Sequence, residues 1–156
     1  MTRTDEVGMH IAAAPERIYT AFVVPEVVVR WLPPDGMTGR IAVFDARPGG
    51  RLRLTLAYRD PSEHGKTAGA EDVVQGVFVE LVPGIRVVQD VEFVSDNPLF
   101  SGTMRMTWAV APAPGGSFVS IRAENVPDGI PAADHRTGIT ASLRNLAALA
   151  AGAEPF

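Results

Sequence analysis

The chain has 156 residues, a formal net charge of −4, no cysteine and no block of basic residues. This length predicts a single domain over 1–156, and the lack of cysteine excludes disulfides, thiol catalysis and thiolate metal sites. The net negative charge argues against nucleic acid and anionic membranes as partners. The sequence has no signal-peptide core and no long apolar run, which predicts a cytoplasmic protein without membrane insertion.

The first part of the chain predicts one strand followed by two short helices. Apolar residues alternate with polar or small residues over 7–11, which is typical of a strand. Pro15 suits the first turn of a helix, so we expect an amphipathic helix over 16–23. A second short helix is expected over 26–32, where Pro33 and the following proline end it.

The segment FDARPGGRLRL, residues 44–54, places two glycines beside basic residues and raises the question of a phosphate-binding loop. Such a loop needs a glycine, four residues, and then Gly-Lys-Ser/Thr opening a helix. Here Gly49 and Gly50 are followed by polar and apolar residues that alternate over 51–56, as in a strand. The segment therefore predicts a β-hairpin turn with positive φ at one of the two glycines, and no nucleotide site.

The rest of the chain predicts an antiparallel sheet and one long helix. A polar loop is expected over 60–72, and helical spacing of Ile139, Leu143 and Leu146 predicts a helix over about 131–151. Because consecutive strands joined by short turns pair antiparallel, and one amphipathic helix must bury its stripe on the sheet, the fold class is α+β. The four further strands are expected over 73–81, 85–94, 103–110 and 118–124.

Strand alternation predicts which side chains face the interior. The apolar sets of the third, fifth and sixth strands point inward by this rule, while Asp90 and Arg105 pair on the outer face. Two amides break the apolar pattern of the inward faces, namely Gln75 between Val73 and Val77 and Gln89 within the next strand. Each amide is either a satisfied core residue or a polar anchor in a ligand cavity.

Chemical motifs are absent from the sequence. The three histidines, His10, His64 and His135, lie in a strand, a polar loop and a helix start, without the close pairing of a metal site. No serine stands in a G-x-S-x-G elbow, and no Asp, Glu or His can be assigned to the inward face. We therefore expect no metal, no cofactor and no catalytic residue.

Four segments occur in an order that resembles the START-related SRPBCC superfamily, in the branch named after the activator of heat-shock-protein-ninety ATPase. They are AAPERIYTAFVVPEVVVRWLPPDG, DARPGGRLRL, QGVFVELVPGIRVVQDVEF and DHRTGITASLRNLAAL. The resemblance implies a helix-grip fold, in which a curved antiparallel sheet of six to seven strands wraps around the C-terminal helix and leaves an apolar cavity. Relatives often carry Trp after the glycine of the last helix, whereas here Gly138 is followed by Ile139.

Three functions are compatible with this resemblance. The leading hypothesis is the binding of a small hydrophobic molecule, such as a lipid or an aromatic or polyketide-like compound, in the cavity. An enzyme of the polyketide cyclase or aromatase type would need an acid or base in the same cavity, and a chaperone-partner role would need an exposed patch. The oligomeric state stays open, with a homodimer among the options. The residues expected to line the cavity are Trp31, Tyr58, Gln75, Gln89, Phe93, Met104, Met106, Trp108, Ile139 and Leu143.

Overall fold

The computed structural model describes residues 2–60, 71–152 and 156, and it shows an α+β fold in which a seven-stranded antiparallel sheet curls around the C-terminal helix. The predicted fold class is confirmed. The two short helices follow the first strand, and a 3₁₀ turn at Pro98–Phe100 precedes the sixth strand. In chain order the elements are β1 (Thr4–Ile11), α1 (Pro15–Val23), α2 (Pro25–Trp31), β2 (Met37–Phe44), β3 (Arg51–Tyr58), β4 (Glu71–Val82), β5 (Arg86–Phe93), β6 (Met104–Ala113), β7 (Gly116–Glu124) and α3 (Ala132–Ala150).

The strand order in the sheet is β1-β7-β6-β5-β4-β3-β2. From β2 to β7 each strand lies beside its neighbour in sequence, whereas β1 pairs with β7, in register from Thr4 opposite Glu124 to Ile11 opposite Ser117. The first two strands therefore form the two opposite edges of the sheet. Because α1 and α2 connect these edges, the chain has to cross the concave face before β2 begins.

A cluster of three aromatic side chains fixes the short helices on the sheet. Phe22 of α1, Trp31 of α2 and Trp108 of β6 are all buried. The ring centroids of Trp31 and Trp108 lie 5.1 Å apart in an edge-to-face arrangement, and Phe22 lies 5.8 Å from Trp108. The indole nitrogen of Trp31 donates to the carbonyl oxygen of Ala21 at 2.9 Å, so this buried donor is satisfied.

Helix α3 packs along the concave face through a stripe at helical spacing. Leu143, Leu146 and Ala150 of this stripe are buried. Two polar side chains join the helix to the end of α2, since the Ser142 hydroxyl donates to the Leu32 carbonyl at 2.6 Å and the Asn145 amide donates to the Pro33 carbonyl at 3.0 Å. These bonds satisfy carbonyls at a helix end, where intrahelical partners are lacking.

An ionic cluster links β1 to the first turn of α3. Asp5 is only 1% exposed, and its Oδ2 lies 2.8 Å from Nδ1 of His135 and 3.0 Å from the guanidinium of Arg3. Arg3 also donates to the Ile130 carbonyl. Burial acts to raise the pKa of Asp5, but the hydrogen bonds from His135 and Arg3 outweigh it and leave the pKa below its ordinary value. Asp5 is therefore a carboxylate at neutral pH.

The Asp5 cluster makes the stability depend on pH. A folded-state pKa below the unfolded value means that the carboxylate stabilises the fold above about pH 4 and that this stability is lost as pH falls further. We expect Asp5→Asn to lower the free energy of unfolding by about 1–3 kcal/mol at neutral pH, and the difference from wild type to shrink below about pH 4. Urea denaturation at a series of pH values measures both effects.

The matched control is Asp90→Asn, because the bidentate Asp90–Arg105 pair lies on the outer face of the sheet. Ion pairs of this kind contribute about 0–1 kcal/mol, so the control variant should differ little from wild type. An Asp5→Asn variant as stable as the control at neutral pH would contradict the stabilising role of the buried carboxylate.

The turn between β2 and β3 is a hairpin, as its sequence predicts. Gly49 has φ of +80°, and its N–H donates to the Phe78 carbonyl of β4 at 2.8 Å. We expect Gly49→Val to lower the free energy of unfolding by about 1–3 kcal/mol, because a β-branched residue is strained at positive φ. Thermal and urea denaturation measure the loss, and calorimetric titration of wild type with ATP should show no micromolar binding.

Gly138→Ala is the control for this glycine substitution. Gly138 lies within α3, its φ is not positive, and a Cβ placed there has no neighbour within 4 Å apart from the helix's own backbone. Alanine is the better helix former, so the stability of this variant should hold or rise. Micromolar ATP binding, or a Gly49→Val variant as stable as wild type, would contradict the hairpin interpretation.

Candidate functional site

A cavity of about 400 Å³ lies between the concave face of the sheet and the first half of α3. Most of its wall is apolar. Strands β3, β5 and β6 contribute alternating side chains, because every second residue of a strand points to the same face, and α3 closes the opposite side. The apolar wall includes Leu52, Leu54, Leu56, Val91, Phe93, Met104, Met106, Trp108, Ile121 and Ile139.

The position of the cavity follows from the side chains of α3. Ile139 lines the cavity, whereas Leu143, one turn later, is completely buried and is not part of its wall. Gly138 also borders the cavity and has no side chain to fill it. The second half of the helix therefore packs on the sheet, and space remains beneath the first half.

Seven of the ten residues expected from the sequence lie at this cavity. Two of the other three, Trp31 and Leu143, are completely buried elsewhere in the interior. Trp31 packs on Trp108 within the core, and Leu143 faces the core beneath α3. Spacing along the chain predicts which residues face the interior, but it does not tell a core position from a cavity position. The seven are Tyr58, Gln89, Phe93, Met104, Met106, Trp108 and Ile139.

The placement of Gln75 on the inner face is wrong. Its side chain lies on the outer surface, where it accepts a hydrogen bond from Arg53 at 2.8 Å and donates to Glu92 at 3.2 Å. Up to the bulge that follows Phe78, the inward residues of β4 are the even-numbered ones, including Val74 at the cavity and the completely buried Phe78. If the large aromatic Phe78 is taken as an inward residue, the alternation places Gln75 on the outer face.

Two hydrogen-bond donors occur in the wall without an acceptor. Gln89 is 2% exposed, and neither its Nε2 nor Nε1 of Trp108 has a hydrogen-bond partner among the described residues. The two residues share a face of neighbouring strands, because Gln89 pairs with Met106, two residues before Trp108. A buried donor left without a partner costs about 1–3 kcal/mol, so an acceptor in this part of the cavity would stabilise the protein.

Two Asp residues and one His also line the cavity, so the expectation that no Asp, Glu or His faces the interior is wrong. Asp72 belongs to β4, which begins at Glu71 rather than after the polar loop, and it is 2% exposed. Asp134 and His135 belong to the first turn of α3 at the cavity opening. The sequence showed His135 at a helix start, but only the fold brings that turn over the cavity.

The remaining histidines lie away from this site. His10 is exposed on β1, and its Nε2 lies 2.8 Å from the Pro114 carbonyl. His64 is outside the described residues. Within the described ranges, no three His, Asp or Glu side chains are grouped to bind a metal ion, and no helix there is long and apolar enough to cross a bilayer.

The connection between β5 and β6 contributes a wall residue that strand periodicity could not reveal. Phe100, from the 3₁₀ turn, lies 6.5 Å from Phe93 between ring centroids, and both rings line the cavity. The aromatic ring of Phe100 in the connecting segment SDNPLFS was the available signal, because a large aromatic ring gains much from burial in the core.

Comparison with solved structures shows the same fold in several bacterial proteins. Protein CV1439 from Chromobacterium violaceum is 34% identical, with a TM-score of 0.85 over 96% of this chain and 97% of that chain. The AHSA1 protein from Silicibacter pomeroyi is 19% identical, with a TM-score of 0.77 over 94% and 96% of the two chains. DynU16, a protein in the dynemicin biosynthetic locus, is 15% identical, with a TM-score of 0.69 over 97% of this chain and 48% of that chain.

Among curated proteins, none matches the chain significantly. The family model described as "Activator of Hsp90 ATPase homolog 1-like protein" matches residues 12–151. The match runs from the end of β1 to the end of α3, and so includes every element that lines the cavity. The chain therefore belongs to the Activator of Hsp90 ATPase homolog 1-like family.

Proposed function

We propose that the protein binds a small, largely apolar molecule in the cavity between the sheet and α3. The observation that carries this proposal is a cavity of about 400 Å³ with an apolar wall and a few polar groups. Ligand sites have volumes of roughly 300–1,000 Å³ and combine apolar walls with a small number of placed polar groups. The SRPBCC-type fold family commonly binds hydrophobic ligands, which agrees with this function.

The energetic cost of an apolar cavity supports the presence of a ligand. Unfilled volume in a protein interior costs roughly 20–25 cal/mol per Å³, and water finds few hydrogen-bond partners against Leu and Met side chains. The sequence nevertheless leaves Gly138 and the unbranched Met104 and Met106 at this wall. Methionine adapts to ligands of different shape, so the wall suits a ligand that replaces water there.

The unpartnered donors narrow the chemistry of the ligand. Nε2 of Gln89 and Nε1 of Trp108 both require an acceptor. A ligand that carries a carbonyl, carboxylate or phenolic oxygen would supply one, whereas a pure hydrocarbon would leave both donors unsatisfied. The proposed ligand is therefore an apolar molecule with at least one acceptor oxygen.

Tryptophan fluorescence tests the binding function. Trp108 lines the cavity, and Trp31 packs on Trp108. A molecule bound in the cavity should therefore change the tryptophan emission. We expect saturable changes on titration with 8-anilino-1-naphthalenesulfonate, lauric acid and 2-naphthol, and a much smaller change in the Trp108→Phe variant. Circular dichroism checks that the fold is retained. Flat titrations with all three compounds would contradict the proposal.

A substitution at Ile139 tests where the ligand lies. Because Ile139 borders open space, Ile139→Trp should fill part of the cavity, so the free energy of unfolding should hold or rise. The affinity for 2-naphthol and lauric acid should fall at least about tenfold, which corresponds to about 1.4 kcal/mol. Urea denaturation and fluorescence titration measure the two effects.

Leu143→Trp is the matched control on the same helix. Leu143 is completely buried and does not border the cavity, so an indole there should overpack the core and cost about 1–3 kcal/mol. An Ile139→Trp variant that loses as much stability as this control, or that binds the probes as wild type does, would contradict a ligand site beside Ile139.

A further inference from the structure

We propose that the cavity binds neutral carbonyl compounds in one orientation, with the carbonyl oxygen between Gln89 and Trp108 and the apolar remainder directed toward the opening. The inference rests on the proposed function, because it uses the same cavity, and it adds the chemical class of the ligand and the residues that select it. The observation behind it is that two buried donors, which have no partner among the described residues, lie together at one end of the cavity.

The inward side chains of β5 show which end of the cavity is closed. Val87 is completely buried, Gln89 is 2% exposed and Val91 is 4% exposed, whereas Phe93 at the end of the strand is only partly buried. Trp108, which pairs with Val87, is covered by the aromatic rings of α1 and α2. The cavity is therefore closed at the level of the two donors and opens past the end of β5.

The strand register brings the two donors within reach of one atom. Gln89 lies opposite Met106, and Trp108 follows Met106 by two residues on the same face of β6. Residues in this diagonal relation are about 7–8 Å apart, so the amide Nε2 and the indole Nε1 can donate to a single oxygen placed between them. A carbonyl oxygen has two lone pairs and no proton, and it therefore satisfies both donors without introducing a third.

The charges along the wall favour a neutral group at the closed end. The wall includes two carboxylates, Asp72 and Asp134, and no Lys or Arg side chain is among the residues that the structure describes there. The imidazole of His135 also lines the cavity, but its Nδ1 already lies 2.8 Å from the buried carboxylate of Asp5. A buried anion without a cationic partner is strongly disfavoured. An anionic ligand such as lauric acid is therefore expected to lie the other way round, with its charge at the opening.

The distance from the donors to the opening sets the length of the ligand. Phe93 follows Gln89 by four residues on one strand, which corresponds to about 13 Å of extended chain. At the opening, the rings of Phe93 and Phe100 lie 6.5 Å apart between centroids. An elongated apolar body with a carbonyl at one end, such as an acylated naphthalene, fits within this length. Substituents on its far end would extend past the two rings into the opening.

Three naphthalenes that share the same rings test the class of ligand, namely 2-acetylnaphthalene, 2-ethylnaphthalene and 2-naphthoate. Equilibrium dialysis measures their dissociation constants with wild type and with Gln89→Leu. The substitution should weaken binding of the ketone and not of the hydrocarbon, so that the preference for the ketone falls at least about tenfold, or about 1.4 kcal/mol. The solvation of each compound in water cancels in this ratio. Binding of 2-naphthoate should be unchanged, because its carboxylate lies at the opening.

Carbonyl ¹³C NMR measures the hydrogen bonds to the ligand. The labelled carbonyl carbon of bound 2-acetylnaphthalene should resonate downfield of the same carbon in hexane, because hydrogen bonds polarise the C=O bond, and it should move upfield in Gln89→Leu and in Trp108→Phe. Gln75→Leu is the matched control, because the Gln75 side chain lies on the outer face of β4. This variant should leave the preference and the chemical shift unchanged.

Substituents on the ketone test the orientation. An ethyl group at ring position 6, far from the acetyl group, should be tolerated, because that end of the molecule faces the opening. A tert-butyl group in place of the acetyl methyl should weaken binding at least about tenfold, because the closed end has no room for it. If Gln89→Leu does not fold, the wild-type chemical shift and this substituent series decide.

The outcomes separate this inference from the proposed function. A preference for the ketone that is the same in wild type and Gln89→Leu, or a bound carbonyl carbon that resonates as in hexane, overturns the inference and leaves the binding function intact. A loss of 2-naphthoate affinity in Gln89→Leu as large as the loss for the ketone also overturns it. Failure of 2-acetylnaphthalene to bind overturns it as well, and the fluorescence titrations then decide the binding function independently.

Discussion

The contact between Trp31 and Trp108 is the interaction on which the interior depends. It joins the helix pair that crosses the concave face to the middle of the sheet, with ring centroids 5.1 Å apart. Trp108 has a different environment on each side, because it packs on Trp31 and Phe22 within the core and also lines the cavity. The boundary between packed core and open cavity therefore lies at Trp108, and the aromatic cluster supports this part of the cavity wall.

Helix α3 is also divided between a half that packs on the core and a half that borders the cavity. Its second half buries Leu143, Leu146 and Ala150, whereas its first half presents Gly138 and Ile139 to open space. A helix that packed over its whole length would close the cavity, and a helix that packed nowhere would leave the sheet uncovered. The salt-bridged Asp5 attaches the start of the helix to β1, so the unpacked half is fixed by polar contacts where apolar burial is lacking.

Local pattern was sufficient for most of the fold because each strand and helix has to bury one face. The alternation of Met104, Met106 and Trp108 gave the correct side of β6, and the hairpin at Gly49 followed from glycine chemistry. The same rule failed for Gln75, because apolar residues occupy both faces of β4: Val77 is exposed on the outer face, whereas Phe78 is buried on the inner face. Amphipathic periodicity predicts which face of a strand or helix points inward. It does not predict whether an inward side chain lines the cavity or packs in the core.

The contact between Asp5 and His135 beside the cavity could not be predicted from the sequence. Asp5 and His135 are 130 residues apart and meet only because β1 forms the edge of the sheet beneath the start of α3. No spacing rule connects such residues, since their contact belongs to the topology. Family membership establishes the fold, and one fold hosts many functions. The proposed function must therefore rest on the side chains of this chain's own cavity, namely its apolar wall and the donors of Gln89 and Trp108. For the proposed binding function, an apolar wall alone would select a ligand by shape, whereas the buried donors of Gln89 and Trp108, which lack a partner among the described residues, would also select for an acceptor oxygen.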